Sequence, residues 1–150
     1  MVTEQDKTLD ALKTAIQMEI DGKQYYLKAS RESSNELGKK LLHSLAEIED
    51  IHRQKFEEIF NAIRDKKAWP VIAVQPERSQ KLRTIFAQAT KEIGSNIKVP
   101  ATELDAVQIT MDMENKTYDF YKNQHKIAAY DAEREYYQKL SAEYHHSGFY

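Results

Sequence analysis

Two tetrads of the form Glu-x-x-His, Glu49-Asp50-Ile51-His52 and Glu143-Tyr144-His145-His146, carry residue types that ligate hard metal ions. On a helix, positions i and i+3 share a face about one turn apart, so each tetrad can aim a carboxylate and an imidazole at one place. A lone glutamate precedes each tetrad at nearly equal distance. Glu49 follows Glu19 by 30 residues and Glu143 follows Glu114 by 29 (49 − 19 and 143 − 114). Glu19, Glu49, His52, Glu114, Glu143 and His146 together form an oxygen-and-nitrogen donor set. It suits two iron or manganese ions and leaves coordination positions for water or O₂.

Such a set needs four helices to position it. Apolar spacing of three and four residues marks them. Leu9, Leu12, Ile16 and Tyr26 form a first stripe, with Glu19 in line. Leu42, Leu45, Phe56, Ile59 and Ile63 form a second, and Glu49 and His52 fill its two gaps. Leu104, Val107, Met111, Tyr118, Tyr121 and His125 form a third around Glu114. Ala132, Tyr136 and Leu140 lead into Glu143 on the fourth.

Boundary signals agree. Ser33-Ser34-Asn35-Glu36 ends helix one and caps helix two. Thr102, with Asp105 three residues on, is the expected cap of helix three, and Asp131 that of helix four. Short connections make helices one and two, and three and four, antiparallel neighbours. Trp69-Pro70 and Gln75-Pro76 close helix two and open a long crossover. Within it, residues 79–93 read as a short helix with Leu82, Ile85, Phe86 and Ala89 on one face, stopped by Gly94-Ser95-Asn96. The expectation is one all-α domain over residues 1–150, a four-helix bundle whose order need not be simple up-down.

A buried, ionised carboxylate costs several kcal/mol unless it is protonated, paired with a cation or bound to a metal. No Lys or Arg lies on the first three stripes. A metal centre is therefore the simplest reading. A metal-free bundle with a buried Glu–His hydrogen-bond network is the alternative.

Composition narrows the classes further. Net charge is −2, without the basic excess that neutralises nucleic-acid phosphates, so no nucleic-acid partner is expected. No long apolar run or basic-apolar leader is present, so neither a membrane span nor secretion is expected. Cysteine is absent, which excludes disulfides, thiolate metal sites and iron–sulfur clusters and suits a cytoplasmic location. Only 4 Gly and 3 Pro in 150 residues favour long helices over a many-turned β fold.

At these residues the chain resembles the ferritin-like di-iron carboxylate proteins, whose ligand pattern is general to such bundles. Within them it is most similar to the rubrerythrin-type domain. The matching stretches run from Ala15 to Tyr26, Leu45 to His52, Met113 to Tyr121 and Leu140 to His146. The resemblance implies a ferritin-like bundle holding two irons, with manganese, mixed Fe/Mn or zinc as other occupants. It implies that Glu49 and Glu143 bridge, that Glu19 and Glu114 are terminal ligands, and that His52 and His146 each bind one ion. Implied too is an oxidoreductase acting on peroxide or O₂ in oxidative stress, or a ferroxidase. Lacking a cysteine-rich rubredoxin domain, the chain would take electrons from a separate donor protein. Iron handling or storage, and a metal-stabilised interaction bundle, are the other functions open to it. The family's further Glu, three residues after the third-helix ligand, is replaced by Thr117, the counterpart of Gly22.

Tyr26 and Tyr121 follow Glu19 and Glu114 by seven residues each and are candidate neighbours of the centre, with core packing as their plainer role. Asp21, Asp50 and Asp112 are candidate acceptors for the second N–H of a ligating histidine. His43 and His125 have no second ligand at helical spacing, His145 points about 100° away from its neighbour His146 on a helix and is expected to be exposed, and Trp69 is an expected anchor for the crossover. Helix four extends little past His146, which would leave apolar surface for a second copy to cover, so a homodimer is expected.

Overall fold

The computed structural model of the protein describes residues 3–65, 68–70, 81–85, 88 and 101–145, excepting the side chains of 101–104, 144 and 145. Among them all regular structure is helical. Helices α1 (Glu4–Glu32), α2 (Glu36–Arg64), α3 (Ala101–Ile127) and α4 (Asp131–His145) form a ferritin-like bundle. A helical stretch at 81–85 lies in the crossover.

Local chemistry explains the ends. Thr3 and Asp6 form a reciprocal capping box, and Asn35 accepts from the Gly38 N–H at 2.9 Å. Two expected caps are corrected. Helices α3 and α4 already include Thr102 and Asp131, which sit in the first turn rather than before it. At α4 the capping is done by Glu133. Its carboxylate reaches back to the N–H groups of Ala129 and Tyr130 at 3.2 and 3.4 Å and accepts from the Thr8 hydroxyl of α1 at 3.4 Å. Glu133 is thus the buried residue of its turn, and Ala132, expected on the stripe, is exposed.

Side-chain contacts give the topology. Gln5 bonds to the Ile63 carbonyl, so α1 and α2 run antiparallel. Tyr25 meets Ala106 and Tyr121 meets Glu19, so α3 opposes α1. His125 Nδ1 donates to the Arg134 carbonyl at 3.0 Å, closing the α3–α4 hairpin. Helices α2 and α3 are therefore parallel, and only a long crossover can join them, as in ferritin-like bundles.

Apolar residues collect in two clusters. One joins Leu12, Phe56, Ile59, Tyr121, Tyr137 and Leu140, with Trp69 packed on it as the crossover anchor, 6.1 Å from the Tyr136 ring. The other holds Tyr26, Leu41, Leu42, Leu45 and Ala46. The first stripe lies where expected, with Leu12, Glu19 and Tyr26 buried and Leu9 and Ile16 packed at its margin. Thr8, Leu12, Ala15, Glu19, Gly22 and Tyr26 are buried, while Leu9 and Ile16 are only partly so. Small side chains face α2 here. A Cβ added at Gly22 would already touch the Glu49 carboxylate, at 3.5 Å from its Oε2.

The crossover is corrected too. Within 81–85 Leu82 packs on the second apolar cluster as expected, but Arg83 is fully buried and Ile85 is 40% exposed. The carboxylates beneath attract a cation more strongly than the apolar clusters attract an isoleucine. Gln75-Pro76, Phe86, Ala89 and Gly94-Ser95-Asn96 lie outside the described residues. No helix of the described residues is long and apolar enough to cross a membrane.

Candidate metal centre

Between the two apolar clusters lies a polar layer. Each of the four long helices contributes one buried glutamate to it: Glu19, Glu49, Glu114 and Glu143. All four are at most 3% exposed, and so is His52. Ligand atoms of Glu19, Glu49 and His52 lie within 4.8 Å of one another. His52 Nδ1 is 3.5 Å from Glu19 Oε1, and its Nε2 is 2.7 Å from Glu143 Oε2. The structure therefore brings together five of the six expected residues. His146 lies outside the described residues.

The His52 nitrogens meet Glu19 and Glu143, not the expected aspartates. Asp50 instead pairs with Lys23 and Arg53 and accepts from Gln54, while the exposed Asp21 and Asp112 accept from Gln17 and Gln108. Both helix-borne tyrosines do reach the layer. Tyr26 donates to Glu114 at 2.9 Å, and Tyr121 donates to Glu19. Each tyrosine thereby serves the glutamate of the other helix. The Thr117 hydroxyl bonds to the Met113 carbonyl of its own helix and adds no donor to the layer.

Arg83 was not foreseen as a site residue. Its Nη2 donates to Glu49 Oε1 at 3.0 Å and its Nε to Glu114 Oε2 at 3.4 Å. The one signal in the sequence is a cation beside the apolar face of a short amphipathic helix. Such residues usually face water, so the signal is visible only once the layer is known.

Two cations, His52 and Arg83, face the carboxylates of the layer. Burial pushes the Glu49 carboxyl well up, and neighbouring Glu19 and Glu114 add to this against the opposing Arg83. The shift favours the neutral form of Glu49, and Arg83 opposes it. Burial also acts on Glu19, but the charge of His52 and hydrogen bonds from Glu49, His52 and Tyr121 outweigh it and hold the group below its usual range. Burial likewise raises Glu114, against Arg83 and Tyr26. Burial opposes the imidazolium of His52, yet Glu143 and Glu19 prevail and push it up to about 9. These protons and cations occupy the atoms that a metal would use, and ligation requires their release.

The donor set fits divalent metal. It is carboxylate and imidazole, it converges, and no thiolate is present. A cleft of about 310 Å³, lined by Glu47, Ile51, Lys55, Lys81 and Leu82 among others, reaches His52 and Glu143 from the surface. His125 is a hydrogen-bonded residue at the end of α3, and His43 is exposed and paired with Glu47.

A four-helix bundle with one inward glutamate per helix and a Glu-x-x-His histidine among them defines a ferritin-like carboxylate–histidine protein. A family model described as Rubrerythrin matches residues 10–150, and the chain belongs to the rubrerythrin family. Searches of curated proteins and of solved structures gave no significant match.

Proposed function

We propose that the protein is a two-iron oxidoreductase that reduces peroxide or O₂ with electrons from a separate donor protein. The observation that carries this reading is the convergence of Glu19, Glu49 and His52 in a buried layer served by one open cleft. In this reading Glu19, Glu49, His52, Glu114, Glu143 and His146 would hold the two ions. Two ferrous ions would supply the two electrons that, with two protons, turn one H₂O₂ into two waters.

The chain's own residues have definite tasks in this reading. Glu49 and His52 give up their protons to become ligands. Tyr121 and Tyr26 hold Glu19 and Glu114 in place by hydrogen bonds. Phe56, Tyr121 and Tyr137 pack below the layer and keep water out on that side. The cleft beside Lys55 and Lys81 admits a small oxidant.

Thr117 favours a second reading within the same chemistry. With its hydroxyl bonded to its own helix, the extra family carboxylate has no substitute there. The centre then resembles a six-ligand ferroxidase, and iron oxidation for handling or storage becomes its role.

The test loads the protein anaerobically with Fe(II), removes excess metal, and measures iron per chain beside a Glu49→Ala variant. Retention of two irons by the wild type, lost in the variant, supports the site. Stoichiometric peroxide then separates the roles: rapid peroxide loss sustained by a reductant marks the oxidoreductase. Repeated Fe(II) turnover with Fe(III) release marks iron handling. If the wild type retains no metal, the metal-free bundle is correct. Light scattering checks the accompanying proposal of a homodimer, which a monomeric mass at micromolar concentration would refute.

A further inference from the structure

The carboxylates of the layer are partnered unequally. Ligand atoms of Glu19, Glu49 and His52 converge, and the cleft opens beside His52 and Glu143. The fully buried Arg83, on the segment whose Lys81, Leu82 and Ile85 also line that cleft, bridges Glu49 and Glu114 through two different nitrogens. A guanidinium placed between two carboxylates occupies the position where a cation would bind them. It is permanently charged, and it matches carboxylate geometry through its fixed fork of donors.

We propose that Arg83 is an intrinsic counter-cation that competes with the second metal ion and makes the two metal positions unequal. The inference rests on the two-metal reading above. The first ion binds at Glu19, Glu49 and His52. The second requires Glu49 and Glu114, and it binds only when the Arg83 guanidinium releases them. In the metal-free protein the same guanidinium stabilises the bundle, because a buried carboxylate stripped of its cation is strongly unfavourable. Arg83 is therefore a specificity-determining residue for metal occupancy: it favours a state with one ion at limiting metal and allows the second only at higher concentration.

Zn(II), which has no redox chemistry, is the probe. Calorimetric titration of metal-free wild type should resolve two binding steps. In Arg83→Met, which keeps the apolar stem and removes the charge, the second step should tighten by at least about tenfold while the first changes little. The melting temperature of the metal-free variant should fall, and that of the zinc-loaded variant should match the wild type. Should metal-free Arg83→Met not fold, Arg83→Lys takes its place. It keeps the charge but bonds as a point rather than a fork, and it too should tighten the second step.

A second step that is unchanged or weaker in the variant overturns the proposal, as does a loss of stability that zinc loading does not restore. Two equal steps in wild type and variant alike overturn Arg83's role and leave the two-metal reading intact. Failure of the wild type to bind zinc at all overturns both.

Discussion

The Tyr26 hydroxyl of α1 donates to the Glu114 carboxylate of α3 at 2.9 Å, and Tyr121 of α3 donates to Glu19 of α1 in return. The exchange ties the halves of the bundle together across the polar layer. Both hydroxyls are buried, and burial together with the facing carboxylates raises both tyrosines well above their usual range, so each remains a donor. Tyr26→Phe and Tyr121→Phe should each weaken metal binding roughly tenfold, as loss of an orienting partner does. Each should cost the metal-free fold about 1–2 kcal/mol. Zinc titration and urea unfolding measure the two effects, and full affinity in both variants would remove the tyrosines from the site.

Stability of the metal-free protein should depend on pH through His52. Its pKa rises from 6.5 unfolded to about 9 folded. A raised folded value stabilises fully below the unfolded pKa and is lost as pH climbs through the folded one. Unfolding free energy should therefore fall between pH 6.5 and 9 by up to roughly 3 kcal/mol. His52→Gln should flatten this slope. The zinc-loaded protein should lack it, since a ligating imidazole is already neutral. Urea titrations with chelator at intervals across this range decide the matter.

Glu49 separates ligation from folding. Burial and the neighbouring Glu19 and Glu114 push its carboxyl well up and favour the neutral form, whose shape and charge Glu49→Gln copies. The amide can still accept from Arg83 and donate towards Glu19. The variant should melt within a few degrees of the metal-free wild type, equivalent to about 1 kcal/mol or less. It should bind iron and zinc far more weakly. A large loss of metal-free stability would mean that Glu49 is ionised there.

Glu133 provides a control outside the centre. Its carboxylate caps α4 and holds Thr8 of α1. Glu133→Ala should destabilise the fold by about 1–2 kcal/mol, as lost caps do. Metal content per folded chain should stay unchanged. A coupled loss of metal would show that α4's register depends on this cap.

Helices, hairpins and most of the ligand set were legible in the residues alone. Four glutamates interrupting apolar stripes is a local pattern, and helical periodicity converts it directly into one face of each helix. The nearly equal spacing in the two halves extends that logic to a shared layer, since similar Glu-to-Glu separations across two antiparallel hairpins bring equivalent turns to similar height. The Leu42 to Ile63 stripe succeeded for the same reason, as all its members are large and apolar.

Elsewhere the local pattern was insufficient. On α1, Ala15 and Gly22 are buried more deeply than Ile16, and at Gly22 the Glu49 carboxylate approaches too closely for periodicity to register. On α4, Glu133 displaced Ala132 because its hydrogen bonds reach residues outside its own helix. Arg83 is the clearest instance. Spacing within its segment pointed to Ile85, yet the cation turned inward to carboxylates 34 and 31 residues away in sequence. Periodicity within one helix records which residues avoid water. The partner of a buried charge is set by what the other helices deliver to the same layer, and only the assembled bundle decides that.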